Sequence, residues 1–310
     1  MTYEDVFELA VYDSGVRINN VGDLDDLEAK LVDNHKNCKS TVGLKEIDEW
    51  VLDTIEEDAV CADFNEEIIR KALSLGYYPM SMKKMVTTED ELMTYRDQLS
   101  KVVKAKGGVY AWRYFMTIRH HLKKMVIDFN EFKFPKKTRR YVRQQFGDYT
   151  LTFNKNFDLC AETLIAQYEE TWVVPPLLDV LKTIHDNPDD EVSVDSVELW
   201  RGDELVAGEL GFITHNAYAS LCGFHIEDNS GTVQMAALGM WLKENGFAYW
   251  DLGMEMDYKY VYGAICMGRR AQKEYYDRLA SSRRILPKEE IKIKDPVSYT
   301  HLTLPTSDLV

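Results

Sequence analysis

The chain is 310 residues long and poor in the features that mark a secreted, metal-bound or membrane protein. Its five cysteines (Cys38, Cys61, Cys160, Cys222 and Cys266) are odd in number and dispersed, with no C-x-x-C pair. Such spacing suits neither a disulfide framework nor a zinc site, so free thiols in a reducing compartment and no metal are expected. No apolar run is long enough to span a bilayer. Glu4 and Asp5 stand where a secretory signal carries basic residues, so a cytoplasmic place without membrane contact is expected. There is no internal repeat, low-complexity tract or glycine-rich phosphate loop, and no cofactor is expected. The length suits one or two domains with ample core.

What is present is an uneven charge. The net charge is −15, yet residues 1–70 hold 19 acidic and 6 basic side chains, a balance of −13. Residues 119–144 run the other way, with nine Lys or Arg against Asp128 and Glu131. That local balance of +7 is the footprint expected where a protein meets a phosphate backbone, although a solvated basic face is the common alternative. Tyr141 and Phe146 interleave the run.

Hydrophobic periodicity divides the chain further. Leu24, Leu27 and Leu31, then Ile47, Val51 and Ile55, recur at helical spacing within residues 1–60. Residues 88–104 read as a helix with Glu89, Asp90 and Glu91 in its first turn, favoured by the helix dipole. Residues 109–115, 125–129 and 150–153 read as strands, 158–170 as a helix, and Pro175-Pro176 opens another to about His185. Residues 196–200 and 205–212 flank the polar turn Arg201-Gly202-Asp203-Glu204, a hairpin pattern, and 218–224 follow as a third strand. Val233, Ala236, Ala237, Met240 and Trp241 give an amphipathic helix packed on that sheet and ended by Asn245-Gly246. Residues 247–252 form a buried strand ending in Asp251, and Arg269–Arg284 a basic helix with Tyr275, Tyr276 and Leu279 inward.

The words Ser196-Val197-Glu198-Leu199-Trp200, Asp203 to Gly208, Leu221-Cys222-Gly223, Asp251 and Gly263-Ala264 come in one order along the chain. With Thr171-Trp172-Val173, and with residues 68–81 as a helix ending in a Gly76-Tyr77-Tyr78-Pro79 turn, this order resembles the leucyl/phenylalanyl-tRNA–protein transferase family over roughly residues 60–285. The resemblance implies an α+β fold with an N-acetyltransferase-like mixed sheet behind a smaller N-terminal α/β domain. The divisions expected are an acidic helical extension at 1–60 and a small domain with the basic segment at 61–147. The aminoacyltransferase domain follows at 148–285, then a tail at 286–310. Within that tail Val297–Thr306 resembles a translated sequencing adapter, so 296–310 is set apart. The implied activity is transfer of Leu, Phe or Met from an aminoacyl-tRNA to an N-terminal Lys or Arg of an acceptor protein, marking it for degradation.

Such a transfer breaks an ester and forms an amide, with the amine itself as nucleophile, so it needs a proton acceptor and donors for the oxyanion. The family's Asp-Cys-Gln reads Asp251-Leu252-Gly253 here, and its Gly-Glu reads Gly223-Phe224. Asp251 is the expected catalytic acid, orienting the amine directly or through a water beside Gly253, and Glu227 is the expected replacement carboxylate. Met80, Phe224, Gly253 and Met256 fall on aminoacyl or acceptor pocket positions, and Tyr258 on a family His. A carboxylate cluster of Asp251, Glu255, Asp257, Glu227 and Asp228 suits a cationic N-terminus. Cys222 reads as a buried small residue, not a nucleophile. An acyl-CoA-dependent N-acyltransferase is disfavoured by the loop Asp228-Asn229-Ser230-Gly231-Thr232, whose carboxylate repels phosphate. A non-catalytic tRNA- or degron-binding homologue stays open.

The tRNA contact is expected at Lys136, Lys137, Arg139, Arg140 and Arg143. Changing Lys136, Lys137, Arg139 and Arg140 together to Glu is predicted to weaken tRNA binding for all sequences. The slope of log affinity against log salt should flatten by roughly 0.7–0.9 for each phosphate no longer neutralised. Binding isotherms across a salt series check this, and an unchanged slope moves the footprint to Arg269–Arg284.

Overall fold

The structure is a computed structural model. It describes residues 17–18, 20–27, 29, 58–61, 64–86, 99–105, 108–130, 132, 140, 148–168, 171–272, 274, 286 and 290–292. Two sheets organise them. The smaller holds β1 (Arg17–Ile18), β2 (Asp58–Cys61), β3 (Tyr78–Val86), β4 (Leu99–Ala105) and β5 (Gly108–Arg119). The larger holds β6 (Lys123–Asp128), β7 (Tyr149–Phe153), β8 (Val192–Arg201), β9 (Glu204–Thr214), β10 (Ala217–His225), β11 (Tyr249–Asp251), β12 (Ile265–Gly268) and β13 (Glu290–Lys292). Its order is β12-β6-β11-β10-β9-β8-β7-β13, antiparallel except for the β10/β11 pair. The fold is therefore α+β with a large, mostly antiparallel sheet. No helix among the described residues is long and apolar enough to cross a membrane.

Among the described residues, the helices α1 (Glu66–Ser74), α2 (Phe157–Gln167), α3 (Pro175–Asp186), α4 (Ser230–Glu244) and the short α5 (Asp257–Val261) pack with these sheets. Asn65 caps α1 by accepting a hydrogen bond from the Ile68 N–H, 3.0 Å. Gly76, at φ +71°, lets the chain turn out of that helix.

Strand alternation sorts the core into two layers. Leu210 and Phe212 of β9 join α1, α2 and α3 on one face. Ala207 and Ile213, two and four residues away from Glu209, join α4 on the other. A strand buried on both faces reads as a nearly continuous apolar run, as the residues 205–212 do. Val233 is fully buried and Met240 packs against the same core, as the helical spacing predicts. Gly202, at φ +59°, makes the β8–β9 turn.

The structure corrects several expectations. Leu99–Ala105, read as the end of a helix, is a strand paired with β5. Val102 and Val103 are β-branched and suit a pleated surface, and pairing decided over the acidic first turn, which lies outside the described residues. The helix expected to end in the Gly76-Tyr77-Tyr78-Pro79 turn does end at Ser74, before Gly76, but Tyr78-Pro79 open β3 and are not part of the turn. β3 is an edge strand with β5 as its neighbour in the sheet, where a proline costs least.

Leu24 and Leu27 are buried in the N-terminal segment, which is helical at 21–27, while Leu31, Ile47, Val51 and Ile55 lie outside the described residues. Arg269–Gln272 are helical, and Tyr275, Tyr276 and Leu279 lie outside. Residues 123–128 and 290–292, placed by the sequence reading in the small domain and the tail, are strands of the larger sheet. The adapter-like 296–310 lie outside the described residues.

Candidate active site

Strands β10 and β11 run parallel for three pairs only, Ala217–Ala219 against Tyr249–Asp251. β11 then ends, while β10 continues to His225 with a register shift against β9 between Ser220 and Cys222. The sheet opens there, and a cavity of about 700 Å³ fills the gap. Met80, Phe224, Gly253 and Met256 all line it. They come from β3, β10 and the segment after β11, brought together by the parting of the strands. Arg119, His121 and Lys259 also reach it, as do Tyr168 and Trp172. The Trp172 carbonyl accepts from Ser81 N, 3.1 Å, which holds the Thr171–Val173 word against β3.

Asp251 stands one layer behind the cavity wall and is fully buried. Its Oδ2 is 2.7 Å from Lys124 Nζ, equally buried. Its Oδ1 accepts from the Tyr78 hydroxyl at 2.9 Å and from the Gly253 N–H at 2.8 Å. Lys124 also donates to the Gly76 carbonyl, 2.5 Å, and lies 5.2 Å from the Tyr78 ring centroid. The space beside Gly253, expected to admit an amine or water, is bounded by the Tyr78 ring: a Cβ there meets it at 3.4–3.5 Å. Lys124, counted in the basic run, thus points inward to a carboxylate, since residues 124–127 of β6 are buried on both faces of the sheet. Of the expected tRNA residues, Arg140 is exposed, whereas Lys136, Lys137, Arg139 and Arg143 lie outside the described residues.

Glu227 does not line the cavity. Its carboxylate pairs with Arg201 at 2.7 Å. Glu255 accepts from the Tyr260 hydroxyl, and neither it, Asp228 nor Asp257 lines the cavity. The expected carboxylate cluster is therefore not assembled there.

The carboxylate that does line the cavity is Glu209, which the sequence reading passed over. It is 6 % exposed. Oε1 accepts from the Tyr218 hydroxyl at 2.7 Å and the Ser220 hydroxyl at 2.8 Å, and Oε2 from Gln234 Nε2 at 3.0 Å. Tyr218 reaches it by crossing Gly211, where an added Cβ meets the phenol oxygen at 2.2 Å. Ser220 Oγ in turn accepts from Trp250 Nε1, 3.0 Å. Burial pushes the Glu209 carboxyl above the ordinary carboxylate range, against the pull of its three donors. The signal was present in the sequence as an acid inside an otherwise apolar strand, the same signal that singled out Asp251.

Two further groups shape the wall. Lys259 donates to the Leu252 and Met254 carbonyls, 2.5 and 2.7 Å, fastening the turn that carries Gly253. Burial draws its ammonium down to about 8, with Asp251 opposing. Burial, then Glu209, pushes the Cys222 thiol up to about 11; the side chain is half-buried at the cavity wall, not enclosed as the sequence suggested.

A sequence model of the leucyl/phenylalanyl-tRNA protein transferase family matches residues 126–280. The match covers half of the chain, taking in the second half of β6, all of β10 and β11, and the opening between the last two. The chain belongs to that family. It is 27 % identical over 150 residues to the leucyl/phenylalanyl-tRNA–protein transferase of Pseudoalteromonas translucida, covering 47 % of this chain and 60 % of that relative. Against the Synechocystis enzyme of the same name it is 24 % identical over 156 residues, covering 50 % and 74 %. Among solved structures FemX overlaps 70 % of this chain and 80 % of its own, at 10 % identity and a TM-score of 0.36, too loose a likeness to carry an argument.

Removing one partner of a buried ion pair leaves an uncompensated charge, at a cost of about 3–5 kcal/mol. Asp251→Asn is predicted to lose that much in urea unfolding. Adding Lys124→Met to it should recover most of the loss, and a double variant as unstable as the single one contradicts the pairing.

Proposed function

We propose that the protein transfers an aminoacyl group from an aminoacyl-tRNA to a protein's N-terminal amine, using the cavity between β10 and β11. Family membership together with the four pocket residues at this opening carries the reading. Its sheet is read as N-acetyltransferase-like, with the parted parallel strands as the acyl-transfer cleft. Met80, Phe224 and Met256 offer apolar surface to the side chain of a Leu, Phe or Met residue, with Gly253 keeping the floor low. The charged 3′ end of the tRNA enters from the exposed side of the cavity, where Met256 and Tyr258 are 43 % and 49 % exposed. Lys136, Lys137, Arg139, Arg140 and Arg143 are assigned to the tRNA backbone.

Asp251 is joined to the cavity wall by the Tyr78 hydroxyl and the Gly253 N–H. Its role in this reading is to fix those two groups against the reacting ester, not to touch the amine. Glu227, held by Arg201 away from the cavity, is given no part in the chemistry. The acceptor is a protein or peptide beginning with Lys or Arg, and the product is marked for degradation. The resident chemistry is ester aminolysis, in which positioned donors and a proton acceptor supply the rate.

The test incubates the protein with Leu-, Phe- or Met-charged tRNA and a peptide beginning with Lys or Arg, then weighs the peptide by mass spectrometry. Transfer of one residue from at least one tRNA is expected. Tyr78→Phe, which leaves the Lys124–Asp251 pair whole, should slow single-turnover transfer by about tenfold or more. No transfer from any charged tRNA, or transfer from an acyl-CoA in its place, overturns the reading.

A further inference from the structure

Among the described residues, Glu209 is a carboxylate placed without a cation. No described Lys, Arg or His forms an ion pair with it; its three partners are the neutral donors Tyr218, Ser220 and Gln234. A carboxylate offers about four lone-pair sites. Two donors take Oε1 and one takes Oε2, so Oε2 keeps room for one more. A buried acid normally carries a partner or a task, and this one faces a cavity. Its surroundings are also fixed: Tyr218 runs over Gly211, and Ser220 is pinned by the Trp250 indole N–H. Such a preset site receives an incoming donor without rearranging first.

Glu209 lies on the α4 face of the sheet, reached by Gln234 from α4. Phe224 belongs to the opposite face, packed with the core of α1, α2 and α3, and Met80 comes from the smaller sheet. All three line one cavity, so it joins an apolar side to a side holding an acid. A reaction between an apolar acyl group and an amine needs two such subsites.

We propose that Glu209 is the catalytic residue that receives the acceptor's primary amine. This deepens the proposed function and rests on it for the identity of the acyl donor. The amine arrives as an ammonium, which must lose two protons to become an amide nitrogen. The first passes through Glu209 to solvent and frees the lone pair. That pair forms the C–N bond to the ester carbonyl carbon, and the ester C–O bond breaks with its electrons on the ribose oxygen. The second proton moves to Glu209 and then to that oxygen, which leaves Glu209 ionised as it began.

The experiment measures both binding and transfer, with a Lys-started peptide, its N-acetylated form and hydroxylamine, an amine that is uncharged at neutral pH. Wild-type protein should bind the free peptide at least about tenfold more tightly than the acetylated one, as a charge-assisted hydrogen bond to a buried group implies. Glu209→Gln should erase that preference and cut transfer to the peptide about a hundredfold, while transfer to hydroxylamine falls far less. Equal binding of both peptides by wild-type protein overturns the proposal even if the variant fails to fold. Wild-type-like transfer by Glu209→Gln also overturns it, and leaves the transferase reading standing. A free-amine preference that depends on Glu209, in a protein that transfers nothing, supports the amine site and sinks the transferase reading.

Discussion

The buried pair of Lys124 and Asp251 is the constraint on which the site depends. Each is fully enclosed, with their charged atoms 2.7 Å apart. Two ions taken out of water are worth their desolvation only when every remaining donor and acceptor is placed. Here they are placed on different elements. Asp251 ends β11 and holds Tyr78 of β3 and the backbone of Gly253. Lys124 belongs to β6 and also holds the Gly76 carbonyl after α1. One ion pair thus ties the small sheet, the large sheet and the turn beside the cavity together.

That knot lies where the large sheet comes apart. The three-pair ladder of β10 and β11 stops at Asp251, and the next residues stay tied to β6, where Met125 accepts from the Leu252 N–H and donates to the Gly253 carbonyl, both 2.8 Å. Lys259 does a related task from the far side, its ammonium bound to the carbonyls of Leu252 and Met254. The cavity is therefore walled by backbone held at both ends, with Tyr78 and Gly253 as its inner surface. Glu209 belongs to a separate network of neutral donors on the α4 face. Acid and ion pair are independent parts of one site.

Much of this was legible in the sequence because periodicity reports burial. The hairpin of β8 and β9, the strand β10 and the helix α4 follow from alternating and helical apolar spacing, and Gly202 and Asn245-Gly246 mark their ends. Leu99–Ala105 was not legible, since its partner β5 supplies the reason for its extended form. The pocket positions Met80, Phe224, Gly253 and Met256 came from ordered family words, and the parting of two strands brings them together.

Partnership was harder to see. Lys124 stood in a run of basic residues and counted as surface charge, although its place on β6 turns it toward Asp251. Glu227 lay near the expected loop but found Arg201. Glu209 stands one residue past the word that ends at Gly208, in a strand read for its pattern, because spacing along a strand gives the face of a side chain and not the cavity it borders.

In the proposed function, the gap between β10 and β11 holds the aminoacyl group. A crystal structure with a non-hydrolysable aminoacyl-adenosine, its ester replaced by an amide, tests this most directly. The predicted result is an aminoacyl side chain against Met80, Phe224 and Met256, with its carbonyl facing Tyr78 and Gly253. An analogue bound elsewhere, or the cavity unoccupied at saturating analogue, would contradict it.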